Sequence, residues 1–223
     1  MGIIGVVAAI VLGNIIPKLT DRKVVAKVHK AHNLVANAVQ LAINENGMFD
    51  QWSTVSKANL LKELGKHLEY TEMCTSGGLA KSGSKKCLTY GEPSMRLKNG
   101  ITLSVTQFRA YSASGHGCRS TVAEAQNSIL TSNGVAQHYG YCAEILVNID
   151  GEKEANIANI KDGSTFSFRV FTDGVVPCGF GGQATNSCSF PMTAWIAYKD
   201  NIYLKCKSKI GYSKDKWKNL TCN

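Results

Sequence analysis

Eight cysteines are the most reactive side chains of this 223-residue chain. An even number of cysteines predicts a disulfide framework and an oxidising compartment, although sequence alone does not fix which cysteines pair. Nearest-neighbour pairing is our working hypothesis, because each bond then closes a short loop. It joins Cys74 to Cys87, Cys118 to Cys142, Cys178 to Cys188 and Cys206 to Cys222.

Metal binding and thiol catalysis are the alternatives for two of these cysteines. His116 lies two residues before Cys118, and His138 lies four before Cys142; imidazole and thiolate are the ligands of tetrahedral zinc sites. The Cys-x-x-Cys spacing of strong zinc motifs is absent, which favours disulfides. Cys118 beside His116 also has the composition of a nucleophile and its base, but a paired cysteine is unreactive. Without a serine-centred, paired-carboxylate or phosphate-loop motif, the sequence predicts neither an enzyme nor a cofactor.

Three oxygen-bearing side chains around Gly151 form a weak candidate for calcium. They are Asn148, Asp150 and Glu152. A calcium loop needs about six or more oxygen ligands, and this stretch misses the EF-hand positions. An Asp-Gly turn between two strands is the preferred interpretation.

The element that precedes the cysteines is an uncharged apolar run over residues 1–17. A membrane-spanning helix needs roughly 20 apolar residues, so the run alone is short of one. It also lacks the basic segment and the cleavage site of a secretory signal. Beyond Pro17 the apolar positions follow helical spacing up to Asn46-Gly47. These positions are Val24, Val28, Ala31, Val35, Ala38 and Ala42.

Together the two segments predict one helix of about 45 residues, bent near Gly13 and Pro17, with a glycine ending it. His29 and His32 lie on its basic part, and we expect them to face solvent or headgroups. A second helix is predicted at 56–70 with Ser56 as N-cap. Strands are predicted at 95–97, 101–105, 145–149, 165–171 and 193–198, and residues 106–140 read as a variable surface insertion. A helix packed on an antiparallel sheet is an α+β fold.

The N-terminal helix resembles that of type IV pilins and type II secretion pseudopilins. The resemblance lies in GIIGVVAAI at 2–10, in the basic stretch after it, and in LAINENG at 41–47; shorter motifs between residues 60 and 206 follow in the family's order. In that family a basic leader is removed by a membrane-bound peptidase. The chain starts several residues inside the family's helix, so we expect either a late-assigned start or a truncated helix. Gly13 stands where the family usually has a helix-bending proline.

The resemblance implies a pilin-like α+β fold: a long N-terminal α-helix packed on an antiparallel β-sheet, with a disulfide-rich C-terminal region. Residues 1–47 would form the membrane or filament-core helix, and 48–223 the globular head. The implied function is a structural subunit of a bacterial, envelope-anchored filament. Its partners would be other pilin or pseudopilin subunits, the inner membrane and the assembly platform. The filament-helix residues would be Ile3, Ile4, Val6, Val7, Ile10, Val11 and Pro17.

Charge supplies the alternative function. The net charge of +9 is concentrated in residues 18–40 and 199–218, and the rest of the chain is balanced. The second segment contains the C-terminal lysine cluster, which is Lys205, Lys207, Lys209, Lys214, Lys216 and Lys218 with Trp217. Lysines neutralise phosphates and aromatic rings stack on bases, so the alternative is a minor or tip pilin that binds DNA or a surface receptor. A solvated lysine-rich end is the simpler interpretation.

Overall fold

The computed structural model describes residues 2–52, 56–75, 93–109, 118–123, 140–150, 165–178, 193 and 196–197; for residues 2–21 and 50 it describes the backbone alone. Helix α1 is Gly2–Asn46, 45 residues long, as the sequence predicts. It ends at Gly47, whose φ of 81° is left-handed and whose amide donates to the carbonyl of Ile43 at 2.8 Å. This is the glycine C-cap that Asn46-Gly47 predicts.

One face of α1 is buried against the rest of the chain. The buried residues are Val25, Val28, Ala31, Val35, Ala38, Val39 and Ala42. Their spacing of three and four residues turns one stripe of the helix inward. Each fully buried valine contributes about 1.5–3 kcal/mol to the packing of helix on sheet.

A short 3-10 helix, Phe49–Gln51, leads to α2, Lys57–Gly65. Ser56 caps α2 because its hydroxyl accepts from the amide of Asn59 at 3.1 Å. The helix ends five residues before the predicted boundary at residue 70. Tighter bonds from residues 66 and 67 to residues 63 and 64 close the last turn, and the chain then enters a strand.

Within the described residues, six strands form one antiparallel sheet in the order β1-β2-β3-β4-β5-β6. They are β1 Tyr70–Cys74, β2 Ser94–Leu97, β3 Thr102–Phe108, β4 Ala143–Asn148, β5 Thr165–Val170 and β6 Val175–Pro177. Each strand pairs with the next one along the chain. With α1 and α2 on one face of this sheet, the fold is α+β.

The β2–β3 hairpin turns at Asn99-Gly100, as predicted. The Gly100 amide donates to the Leu97 carbonyl at 3.0 Å, and Gly100 has φ 84°. The side-chain oxygen of Asn99 accepts from the amide of Ile101 at 3.1 Å. A left-handed glycine at the end of a short loop matches the twist of the paired strands.

The core lies between the two helices and one face of the sheet. Val28 and Val35 of α1 pack in the same cluster as Phe166, Phe168 and Val170 of β5. Alternate residues of each strand point to the opposite face. That second face is also buried along β4 and most of β5, and it carries polar side chains.

Two sequence predictions about the second half of the chain were wrong. The described residues of the predicted strand 193–198, Thr193, Ile196 and Ala197, are helical. The predicted surface insertion 106–140 is wrong in part, because β3 continues to Phe108 and Cys118 is fully buried. Residues 110–117 and 124–139 of it lie outside the described residues. Local β-propensity misled the first prediction, since packing decides such short segments.

Candidate functional site

Two of the described polar contacts join helix α1 to the sheet and to the segment just beyond β4. The ammonium of Lys27 lies 2.8 Å from a carboxylate oxygen of Asp150, just beyond β4, with both side chains about half exposed. His32 lies one and a half turns further along α1 and reaches β5 and β6. The two contacts join α1 to segments more than a hundred residues away in the chain.

His32 is half-buried between α1 and the sheet. Its ring stacks on Phe168, with centroids 5.5 Å apart and planes inclined by 13°. Its Nε2 lies 3.2 Å from the carbonyl oxygen of Val175, which accepts, so Nε2 carries the proton. The expectation that His32 faces solvent or headgroups was wrong. Burial lowers the pKa of His32, the Val175 carbonyl opposes that shift, and His29 adds to it.

The side of α1 that faces away from the sheet changes from basic to uncharged along its length. Its first part is basic, with exposed Arg22, Lys23, Lys27 and Lys30. From residue 31 to 44 the helix carries no Asp, Glu, Lys or Arg. The exposed positions of that stretch form what we name the amide stripe: Asn33, Asn37, Gln40, Leu41 and Asn44. Leu41 is 47% exposed, so an aliphatic side chain lies within this uncharged surface.

A row of polar side chains crosses the second face of the sheet. In the strand register Gln107 of β3 lies opposite Glu144 of β4, and Glu144 lies opposite Arg169 of β5. Glu144 and Arg169 are 1% and 0% exposed. The hydroxyl of Ser167 donates to Glu144 at 2.6 Å, and the amide of Ser167 donates to the hydroxyl of Thr193 at 2.8 Å.

Tyr141 joins this row to β3. The guanidinium carbons of Arg109 and Arg169 lie 3.9 Å and 4.2 Å from the centre of its ring, a cation–π arrangement. Its hydroxyl donates to Gln107 and accepts from Arg109. Burial raises the pKa of Tyr141 and lowers that of Arg169.

The Arg169 pKa shift is opposed by electrostatic interactions with Tyr141 and Glu144, which favour the charged guanidinium. Charges this deeply buried need partners, and here Ser167 of β5 binds Glu144, while Glu144 of β4 and Tyr141 just before β4 interact with Arg169. The hydrogen bonds within the row link its own members, so the arrangement fixes the strands and the segment of Thr193 relative to one another. We therefore interpret the row as a structural network of the sheet's second face.

A disulfide joins Cys118 to Cys142 at the start of β4, with Cα atoms 4.1 Å apart. This is the pair that nearest-neighbour pairing gives. Both cysteines are fully buried. With both sulfurs in the bond, neither cysteine is a thiolate for zinc or a nucleophile, so both alternatives for Cys118 were wrong. His116 and His138 lie outside the described residues.

The disulfide holds segment 118–123 against the β5–β6 turn. The carbonyl of Ser120 accepts from the amide and the hydroxyl of Thr172, both at 3.1 Å. The carboxylate of Asp173 accepts from the amide of Val122 at 2.7 Å. Gly140 makes this approach possible, because a Cβ there would lie 2.1 Å from the Ser120 hydroxyl oxygen. We call this arrangement the stapled corner.

Cys74 and Cys178 are also disulfide-bonded, and no described cysteine is a free thiol. The other cysteines of the predicted framework lie outside the described residues. They are Cys87, Cys188, Cys206 and Cys222. Pairing for Cys74 and Cys178 remains a prediction.

The weak calcium candidate is brought together only in part. The side-chain oxygen of Asn148 accepts from the amide of Asp150 at 2.9 Å, and the carboxylate of Asp150 binds Lys27. These contacts give both oxygens protein partners, as in an Asx turn after a strand. Glu152 lies outside the described residues. Across the described ranges, no three His, Cys, Asp or Glu side chains are grouped so that they could hold a metal ion.

The C-terminal lysine cluster with Trp217 lies outside the described residues, so its DNA-binding role stays a prediction. The filament-helix positions, from Ile3 to Val11 with Pro17, lie within helical backbone whose side chains are not described. Over the described part of the chain, no helix is both long enough and apolar enough to cross a membrane.

Sequence reasoning missed the polar row and the stacking of His32. Arg169 and Glu144 lie at alternating positions of their strands, a pattern that ordinarily indicates solvent-facing side chains. The apolar residues next to Glu144 and Arg169 along their strands do not reveal that these two side chains are buried, because burial of the second face depends on segments distant in the chain. His32 could have been found, since it lies four residues after Val28 and three before Val35 and so adjoins both on the helix surface.

Comparison with known proteins gives no relative: no family model, no curated protein and no solved structure matches this chain.

Proposed function

We propose that this protein is a pilin-like structural subunit, whose N-terminal helix packs with the helices of other subunits in an envelope-anchored filament. The observation that carries the proposal is the contrast between the two sides of α1. One side packs its valines and alanines into the core of the domain. The other side presents the amide stripe, which has no charged residue from 31 to 44.

The composition of that exposed side favours a protein partner over water. A solvated helix surface is ordinarily rich in Lys and Glu, which are soluble and good helix formers. Asn has a low helix propensity, costing up to about 0.7 kcal/mol per residue relative to Ala. Asn33, Asn37 and Asn44 therefore weaken the helix without making it more soluble. Carboxamides that meet across a helix–helix contact would offset that cost with hydrogen bonds.

The segment before Arg22 supports the same role. Its backbone continues α1 without interruption through the uncharged run at 2–16. At about 1.5 Å per residue, this uncharged run is roughly 23 Å long. An apolar helical run of this length needs a dry environment, which a bundle of such helices or a bilayer supplies. The basic residues from Arg22 to Lys30 would then lie next to anionic headgroups or to acidic groups of neighbouring subunits.

The disulfides suit a domain displayed outside the reducing cytosol. We accordingly place the subunit in the inner membrane before assembly and at the cell surface afterwards, with the pilus or secretion assembly platform as its partner. Assembly of this kind needs no turnover, and we propose no enzymatic activity.

The test is assembly in the source cells, with Asn37→Lys as the central variant. Filaments are sheared from the cells, and the subunit is quantified by immunoblot in the sheared and cell-associated fractions. A charge in the middle of the amide stripe should remove most of the protein from the sheared fraction. Gln51→Lys also replaces an exposed carboxamide with lysine, but at a position outside the stripe. This variant should shear like the wild type.

Absence of the wild-type protein from sheared filaments, with normal amounts in the cells, would refute the filament role. Equal shearing of Asn37→Lys and wild type would refute the use of this helix surface. Thermal unfolding of each variant checks that its head domain is folded. Intact mass of the sheared subunit then gives its mature N-terminus, and a methylated N-terminal residue is the expected result.

A further inference from the structure

The contact between His32 and the sheet is a polar link inside an otherwise apolar interface. Val28 and Val35, one turn before and after His32, are fully buried in the core cluster. Phe168, on which the imidazole stacks, is fully buried as well. The imidazole of α1 thus contacts both β5 and β6.

The geometry points to a pH-sensitive latch: we propose that protonation of His32 loosens the packing of α1 against β5 and β6. In the neutral ring, Nε2–H donates to the Val175 carbonyl, and Nδ1 needs no donor. Protonation adds a positive charge and a second N–H inside the helix–sheet interface. The Val175 carbonyl still accepts from Nε2, but a half-buried charge without an anionic partner is unfavourable, so the protonated ring gains by moving into water.

The surroundings of His32 lack a described carboxylate that would accept this charge. On its own helix, His29 lies one turn away and repels a second positive charge. On β5 the charged residue is Arg169, which lies on the opposite face of the sheet, and β6 (Val175–Pro177) carries no ionisable side chain. Of the acidic groups near α1, Asp150 binds Lys27.

Helix α2, which also packs on α1, carries Lys57, Lys62 and Glu63. Glu63 accepts from the side-chain amide of Asn46 at 3.1 Å, at the far end of α1 from His32. In the β5–β6 turn, Asp173 accepts from the amide of Val122 in the stapled corner. Both carboxylates therefore bind groups other than His32.

The sign of the pH dependence follows from these contacts. Burial keeps the folded-state pKa of His32 below its ordinary value, in agreement with the geometry. The His32 contribution to the folding free energy is then fully present above the unfolded-state pKa of about 6.5. That contribution is lost as the pH falls below this value. Acidification would loosen α1 from the sheet edge, whether or not the protein forms filaments.

The experiment is hydrogen exchange of the full chain in detergent micelles at pH 7.5 and pH 5.0, corrected for the intrinsic exchange rates. Peptides covering residues 25–35 and 165–178 should exchange at least tenfold faster at pH 5.0, while peptides from β2 and β3 change little. In His32→Gln, whose amide can also donate to the Val175 carbonyl but does not titrate, the increase should disappear. His67 lies 3.4 Å from the carboxylate of Glu45 near the C-terminal end of α1, away from β5 and β6. His67→Gln is therefore the matched control and should keep the increase in peptides 25–35 and 165–178.

A second measurement needs no variant. NMR titration of the wild-type histidine Cε1–H signals should give His32 a pKa below the ordinary histidine value of about 6.5. The proposal is overturned if His32 titrates at or above the ordinary histidine range. It is also overturned if wild type and His32→Gln lose protection equally between the two pH values.

Discussion

Replacing Gly140 with alanine should be one of the most damaging single-methyl changes in this protein. Gly140 has φ 91°, a conformation that costs an L-residue about 1–2 kcal/mol. The added Cβ would also lie 2.1 Å and 2.7 Å from side-chain atoms of Ser120 and 2.9 Å from its backbone nitrogen. Real Cβ atoms do not approach backbone this closely, so segment 118–123 must move.

The displaced segment loses specific contacts. The amides of Arg119 and Ser120 both donate to the carbonyl of Gly140 at 3.1 Å, and Ser120 accepts from Thr172. Overpacking of this kind costs about 1–3 kcal/mol, which brings the total loss to about 2–5 kcal/mol with the backbone strain. With a urea m-value of about 2 kcal/mol/M, the unfolding midpoint should fall by about 1–2.5 M.

Gly100 supplies the matched control. Its φ is 84°, almost the same as that of Gly140, but a Cβ built there meets nothing within 4 Å. Gly100→Ala should therefore cost only the backbone strain, about 1–2 kcal/mol. Both variants are measured by urea unfolding with the disulfides intact, followed by fluorescence and far-UV circular dichroism.

The difference between the two variants isolates the steric contact with Ser120. Ser120→Gly in the Gly140→Ala background removes the two closest side-chain atoms and should restore part of the stability. Equal losses in Gly140→Ala and Gly100→Ala would show that the stapled corner is not closely packed, and the reasoning would fail.

Three further changes test the other contacts. Opening the disulfide with Cys142→Ser should lower the free energy of unfolding by about 3 kcal/mol, measured by urea unfolding; no loss would contradict the bond. Glu144→Gln leaves Arg169 buried without its carboxylate, so thermal unfolding should show a loss of about 3–5 kcal/mol; a neutral result would exclude an ion pair there. Lys27→Ala removes an exposed contact to Asp150 and should cost under about 1 kcal/mol, less at high salt.

The sequence predicted the helical parts best. The buried stripe from Val28 to Ala42 and the glycine at 47 follow from helical period and capping chemistry, which are local properties. Ser56 as the N-cap of α2 and the turn at Asn99-Gly100 were found for the same reason. Each is decided by the residues within a few positions along the chain.

The failures have a common physical cause, which is dependence on distant segments. Thr193 and Ile196 have β-forming side chains, yet the described residues there are helical, because contacts outweigh propensity in short segments. The sequence did not single out Arg169, which is fully buried on the second face of the sheet. His32 reads as part of a basic helix, whereas its partners Phe168 and Val175 lie far along the chain. The pairing of Cys118 with Cys142 agreed with the simplest hypothesis, but sequence had no means to choose it.

The distance along the chain between α1 and its docking partners has a consequence for synthesis. His32 and Val175 are separated by 143 residues, and α1 is made first. At about 5–20 residues per second, the ribosome needs roughly 7 to 29 s to complete the strands on which α1 packs. During that interval the valine stripe of α1 has no sheet to cover it. The period of greatest exposure to aggregation or to chaperones is therefore set by the order of the elements, whatever the stability of the finished fold.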